Sequence, residues 1–285
     1  MSGDAQVILV GSDGSTAGKT AVDHAARIAA RDHATLEILH AYQHPYGYYS
    51  MLGAVYPVSE SEEWRRAAAE FLTAEAERVS KEFPDVPEVR VTLVQGGAAL
   101  SLVDASRTAV LTVVGARGAG GFAQLLLGAV STQVAGHAHG VVEVVHEGDG
   151  ERDRSPVVVG YDGSDASALA LRFAVGEAVA RGVRLIVARF YDSAFDNAAE
   201  RAQEAMAAVK TRLASEHPGL EVEALALVGE NAAYGLAELS RDAGLTVVGS
   251  RGHGGFTGLL LGSVSQGLLH HAHGPVAVVH ERKTS

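Results

Sequence analysis

The chain contains no cysteine. Disulfides, thiolate metal sites and cysteine nucleophiles are therefore excluded together. Positive charge is scarce: 23 Lys and Arg stand against 34 Asp and Glu, a formal net charge of −11. Such a chain offers no electrostatic footprint for a nucleic-acid backbone and no basic stretch suited to anionic lipid, so neither partner is expected. The acidity serves solubility. No apolar run approaches the roughly 18 residues that a membrane span needs. The opening MSGDAQVILVG has no basic region and passes straight into a strand pattern, which reads as a cytoplasmic protein rather than a secreted one.

What the chain does have, it has twice. Residues 111–146 read LTVVGARGAGGFAQLLLGAVSTQVAGHAHGVVEVVH, and residues 245–280 read LTVVGSRGHGGFTGLLLGSVSQGLLHHAHGPVAVVH; 24 of these 36 aligned positions are identical. VILVGSDGST at 7–16 is answered by VVVGYDGSDA at 157–166, and LVQGGAALSLVDAS at 93–106 by LVGENAAYGLAELS at 227–240. Self-similarity on this scale decides architecture before any other signal. The offset is 149 residues early and 134 later, so the first copy carries 149 − 134 = 15 extra residues, between Tyr42 and Arg78. The polar stretch EGDGERDRS at 147–155 is the expected linker between domains at 1–146 and 156–285.

Within each copy, short β-branched runs alternate with Ala-rich helical stretches. Strands are expected at 7–10, 35–41, 89–95, 110–114 and 141–146, and again at 156–160, 184–190, 221–228, 245–249 and 275–280. Helices in the first copy are expected at 16–32, 60–83, 98–108 and 129–138. Runs such as ILV, VVV and VAVV are apolar on both faces, the mark of strands buried between helix layers. The expected fold is α/β: two tandem doubly wound domains, each a five-stranded parallel sheet flanked by helices. Ligands of such sheets sit beyond the carboxyl ends of the strands, where strand order reverses.

A glycine-rich pattern stands at that kind of end. It runs Gly115-x-x-Gly118, nine residues, then Gly128-Ala129-Val130-Ser131, and recurs as Gly249-x-x-Gly252, nine residues, then Gly262-Ser263-Val264-Ser265. Glycine lets backbone approach a ligand closely, and free amides at a helix start form an anion site. A hydroxyl at the first or third position adds a phosphate donor. The pattern reads as a phosphate cradle, or as a loop that merely turns the chain. Strand one of each copy ends in Gly11-Ser12-Asp13-Gly14-Ser15 and Gly160-Tyr161-Asp162-Gly163-Ser164. The aspartate can bind a ribose hydroxyl or a metal-bound water, or it can shape a turn and help cap the following helix.

With Asp13 and Asp162 after strand one, the pattern Gly-x2-Gly-x9-Gly-(Ser/Thr) resembles the ATP-binding branch of the universal stress protein family, over nearly the whole chain. The resemblance implies ATP as ligand, with Mg²⁺ or Mn²⁺, and domain pairing through the last strand, within the chain, between two chains as a homodimer, or both. Carried over, the first site uses Gly11, Ser12, Asp13 and the backbone near Ala41 for adenosine. Val114, Gly115, Arg117 and Gly118 line ribose and phosphates, and Gly128, Ala129, Val130 and Ser131 hold the phosphate tail. The second uses Gly160, Tyr161, Asp162 and Phe190, then Val248, Gly249, Arg251 and Gly252, then Gly262, Ser263, Val264 and Ser265. Ala129 departs from the pattern, because its hydroxyl is missing. A hydrogen bond to a charged group contributes roughly 1.5–3 kcal/mol, so ATP is expected to bind the first site about tenfold more weakly.

Other motifs are discounted. DGSTAGKT at 13–20 ends like a P-loop, but the position that should hold its first glycine is Asp13, and Lys19 reads as a surface residue. Gly118-Ala-Gly120-Gly-Phe-Ala123 follows strand four, whereas a dinucleotide fingerprint follows strand one. His-Ala-His at 137–139 and 271–273 falls at helix ends, where cationic groups suit the dipole, and no metal site is expected there. The aromatic stretch at 42–57 reads as a lid, a partner contact or a packed loop. The functional reading is a nucleotide-binding regulator of stress or growth. Its rival is a slow ATPase or phosphotransferase, for which no repeated base or nucleophile accompanies the cradle beyond Asp13, Asp162 and the serines.

Overall fold

The computed structural model describes residues 6–43, 58–118, 127–146, 154–252 and 261–281, with backbone alone at 58–61. The first half runs β1 (Val7–Gly11), α1 (Thr16–Asp32), β2 (Thr35–Tyr42), α2 (Val58–Glu82), β3 (Glu88–Gln95), α3 (Ala98–Ala105), β4 (Leu111–Gly115), α4 (Ala129–His137) and β5 (Val141–Val145). The second half runs β6 (Val157–Gly160), α5 (Asp165–Arg181), β7 (Leu185–Tyr191), α6 (Ala198–Glu216), β8 (Val222–Val228), α7 (Ala232–Leu239), β9 (Leu245–Gly249), α8 (Ser263–His271) and β10 (Val276–Val279). Helix α1 spans the expected residues because both its ends are written locally. The Ser15 side chain accepts from Gly18 N at 3.0 Å, and His33 closes the helix in the left-handed conformation, φ 52°. Its repeat, α5, is capped by Ser164 at its start and by Gly182, φ 64°, at its end. Helix α3 stops at Ala105, short of the expected 108.

All ten strands form one sheet, in the order β3-β2-β1-β4-β5-β10-β9-β6-β7-β8. Within each half every pairing is parallel. The halves meet through one antiparallel seam, β5 against β10, with Val144 opposite Val276 and Glu143 opposite Ala277. Of the pairings that the resemblance leaves open, the last strands therefore use the one within the chain.

Alternate strand residues feed different cores. Ile8 and Val10 pack beneath α1 and α2, while Leu9 faces the other way; Val157 and Val159 face α5 and α6, while Val158 does not. On the face with α1, α2, α5 and α6 the two halves keep separate cores. On the opposite face a single core runs through both halves and joins Leu102 of α3, Val134 of α4, Leu236 of α7 and Leu268 of α8. Burial on both faces is why these strands read as continuous apolar runs. Strand order reverses between β1 and β4, and between β6 and β9, with α1 and α5 crossing on one face and α4 and α8 on the other. Each half thus has its cleft at the carboxyl ends of its central strands.

Candidate functional site

Two cavities lie at those switch points, of about 460 Å³ in the first half and 490 Å³ in the second. Every residue singled out in the first half lines the first cavity, from Gly11, Ser12, Asp13 and Ala41 through Val114, Gly115, Arg117 and Gly118 to Gly128, Ala129, Val130 and Ser131. In the second half the cavity gathers all of them except Ser265. Each cleft also has walls that motif reading passes over: Gly18, Leu39, Ala98 and Leu102 in the first, and Ser167, Ala188, Ala232, Leu236 and Leu261 in the second. Gly18 and Ser167, Leu39 and Ala188, Ala98 and Ala232, and Leu102 and Leu236 are equivalent in the repeat, so the offsets name each one once its counterpart is known to line a cleft.

The Asp-Gly-Ser segments hold the turn from β1 into α1 and from β6 into α5. Asp13 Oδ1 accepts from the Ser15 amide at 3.0 Å and from its hydroxyl at 2.5 Å, and Gly14 supplies φ +78° between them. Asp162 and Ser164 repeat this at 2.9 and 2.6 Å around Gly163, φ +90°. Turn-making and site-lining therefore coincide in the same carboxylates. The loops that leave β4 and β9 pass close by: a Cβ on Gly118 would collide with Asp13 Oδ2, and one on Gly252 with Asp162 Oδ2.

Gly115 and Gly249 have a reason unlike the one expected from the motif. A Cβ on Gly115 would lie 2.8 Å from the Ala17 carbonyl oxygen, and one on Gly249 would lie 2.7 Å from the Ala166 carbonyl carbon. These glycines let the first turn of α1 or α5 press against the strand end; the close neighbour is protein backbone. The third-position serines also differ from expectation. Ser131 is buried and its Oγ lies 2.8 Å from Ala116 O and 2.9 Å from Gly128 O; Ser265 Oγ donates to Gly249 O at 2.6 Å. Both hydroxyls tie helix start to strand end. The first-position residues, Ala129 and Ser263, are exposed and line the cavities, so the hydroxyl that Ala129 lacks is on the cavity side.

Gly128 and Gly262 are the N-caps of α4 and α8, and neither helix start has a side-chain cap. Their first-turn amides and dipoles make each helix start suited to an anion. Arg117 and Arg251 line the same clefts. Ser12 is 6% exposed, and its Oγ has no hydrogen-bond partner among the described residues. Lys19 is exposed on α1 and does not line the cavity. His137 and His271 close α4 and α8, and among the described residues no group of three His, Asp or Glu could hold a metal ion. The expected lid or partner contact at 42–57 lies outside the described residues apart from Tyr42 and Gln43, as do 119–123 of the discounted dinucleotide motif. No helix among the described residues is long and apolar enough to cross a membrane.

Fold and clefts define a tandem doubly wound α/β protein with a polar cradle at each switch point. The sequence profile of the universal stress protein family matches residues 5–146 and again 154–280. The chain belongs to that family, as two tandem domains. It is 34% identical to a universal stress protein of Mycolicibacterium smegmatis over 291 residues, covering 96% of this chain and 97% of that one. It is also 34% identical to one of Mycobacterium tuberculosis over 292 residues, covering 97% of each. The crystal structure of a universal stress protein from Archaeoglobus fulgidus superposes with a TM-score of 0.75 at 20% identity, covering 97% of both chains, which establishes likeness of fold. Family membership supports a stress-related function.

Proposed function

We propose that each half of the chain binds ATP, with Mg²⁺ or Mn²⁺, and that occupancy of the two clefts sets the conformation or partner choice of a cytoplasmic stress or growth regulator. The observation that carries this reading is convergence: an arginine, an aspartate and a helix start without a side-chain cap line one cavity, and the same set lines the other. The amides at the starts of α4 and α8, with Arg117 and Arg251, would hold the polyphosphate. Asp13 and Asp162 would meet a ribose hydroxyl or a metal-bound water, so the cation would come with the phosphates. Ser12 supports a polar ligand in the first cleft, because a buried hydroxyl without a partner costs about 1–3 kcal/mol that a ligand atom would relieve. Since β5 and β10 have neighbours on both edges, a homodimer would form through another surface.

A slow ATPase or phosphotransferase is the weaker reading. Ser131 and Ser265, the hydroxyls that could accept a phosphoryl group, donate to backbone carbonyls, and, beyond Asp13 and Asp162, no repeated base among the described residues stands beside the cradle to activate a water. Acid-quenching the purified protein and identifying released nucleotide by chromatography tests the main reading. Adenine nucleotide near two per chain is expected. Protein that carries none and fails to bind added ATP would overturn it, and turnover of many ATP per minute would favour the enzyme.

A further inference from the structure

The last strand of the second half ends beside that half's own cradle. Gly249 pairs with Val279, and the Ser250 amide donates to the Val279 carbonyl at 2.9 Å. The next residues, Arg251 and His280, therefore leave the sheet side by side, and Arg251 lines the second cleft. His280 is held by the first half. Its amide donates to Gly140 O at 2.9 Å, and its ring Nε2 lies 2.8 Å from Ala135 O in the last turn of α4. A carbonyl only accepts, so Nε2 keeps its proton in either charge state and Nδ1 is the atom that titrates. Carbonyls of a helix's last turn lack partners within the helix and favour a cation. One imidazole thus stands between the arginine of the second cleft and the helix whose first turn lines the first.

The charges around His280 are one-sided. Burial holds its proton affinity down, the bond to Ala135 O opposes this, and Arg251, His139 and His137 add to the depression. Glu281, next in the chain, is exposed. Of the three basic neighbours, Arg251 alone carries its charge at every working pH. An anion seated against Arg251 offsets that charge, and a proton on the neighbouring ring then costs less. We propose that an anionic ligand entering the second cleft draws a proton onto Nδ1 of His280, so that binding in this cleft is linked to pH through a residue anchored on the other half. Linkage fixes the sign: a proton taken up on binding makes the ligand bind more tightly as pH falls. This rests on the nucleotide reading above.

Calorimetry of Mg-ATP binding in buffers of different ionisation enthalpy counts the protons, at about pH 6, just below the ordinary histidine value. Excess Mg²⁺ keeps the nucleotide's own phosphates deprotonated. The unaltered chain is expected to take up part of a proton on binding, and to bind about threefold more tightly at about pH 5.5 than at about pH 7.5. His280→Gln, which keeps a donor for Ala135 O, is expected to cut the uptake and flatten that dependence. The first half repeats the strand-end junction, with Ala116 N donating to Val145 O at 2.7 Å and Arg117 and His146 following, so the clefts are separated by a further variant. In a chain carrying Asp162→Ala in the second cleft, adding His280→Gln is expected to change nothing. Circular dichroism checks folding, and the proton count in the unaltered chain stands without any variant. Binding with no proton uptake, uptake that His280→Gln leaves unchanged, or an equal His280→Gln effect with Asp162→Ala present overturns the proposal and leaves the nucleotide reading standing. No ATP binding by the unaltered chain overturns both.

Discussion

The Glu143 carboxylate on β5 meets the His24 imidazole on α1 at 2.7 Å, Oε2 to Nε2, with both side chains buried. Neither partner exists in the second half, where the equivalent positions are Ala277 and Phe173. The pair is thus a feature of one copy, set directly at the seam between halves. Removing one member of a buried pair leaves the other uncompensated and costs about 3–5 kcal/mol, while replacing both by apolar groups is often neutral. His24→Phe alone is expected to lose about 3 kcal/mol, and His24→Phe with Glu143→Ala to regain most of it. Urea unfolding measures both; equal losses would argue against the pairing as the cause.

A polar contact on the same face does tie the two halves. Arg31 of α1 reaches Glu177 of α5 through two bonds, 3.0 and 2.9 Å, and Arg181 joins Glu177 at 2.8 Å. Glu177 serves two guanidinium groups; without it Arg31 keeps Asp32 at 2.6 and 2.8 Å, while Arg181 keeps only a long 3.5 Å bond to the Gly244 carbonyl among the described residues. Glu177→Leu should cost about 3 kcal/mol, and Arg31→Leu, whose side chain is 24% exposed, about 1 kcal/mol or less. The same unfolding measurement ranks them, and a reversed order would show that the bridge is not organised around the carboxylate.

Ala129→Ser should restore the missing hydroxyl on the cavity side of the first cradle. It is expected to raise ATP affinity there about tenfold and to do the same for tripolyphosphate, since the gain is at phosphate. Calorimetry with ATP and with Mg-tripolyphosphate, comparing the change in the unaltered chain and in one carrying Asp162→Ala in the second cleft, reads it. An unchanged first site would mean that the α4 amides alone set its affinity.

Gly249→Ala and Gly115→Ala should each lose about 1–3 kcal/mol of stability, since the added Cβ meets backbone that cannot rotate away. Thermal unfolding without ligand is the appropriate measurement. A stable variant that has lost only ligand affinity would return these glycines to the role of ligand-facing residues.

Two groups make stability pH-dependent. Burial pushes the His280 imidazole down; its bond to Ala135 O opposes this, and the charges of Arg251, His139 and His137 add to the depression. Below about pH 6.5 the unfolded chain takes up a proton that folded His280 refuses, so stability falls as pH drops from there toward the folded value. Burial would raise the Glu143 carboxyl, but the His24 hydrogen bond, with the charges on His24, Arg181 and Arg31, holds it below the usual carboxylate range. Its contribution is complete above about pH 4.3 and is lost as pH falls through the depressed value. His280→Gln should flatten the first limb and leave the second. Urea midpoints between pH 3 and 7.5 show whether it does.

Much of the site was legible in the sequence. The Gly115-x-x-Gly118 spacing and its twin, the aspartate after strand one and the family resemblance they carry name most of both cavity linings. Ser265 misses its cavity while Ser131, whose hydroxyl likewise bonds backbone carbonyls, lines the first, a difference that spacing does not encode. Leu39, Leu102 and their equivalents were illegible as site residues because an apolar side chain on a strand or helix looks the same whether it faces a core or a cleft.

Local pattern was enough for the duplication, the strand and helix positions and the two polar cradles, because burial periodicity, helix caps and glycine turns act over a few neighbouring residues. It took the folded chain to settle that β5 and β10 join the halves into one sheet, that Glu143 finds His24 across 119 residues, and that Arg31 finds Glu177 across 146. Those outcomes depend on which distant surfaces meet. A residue's partner across the fold is set by packing and register, and no local pattern records it.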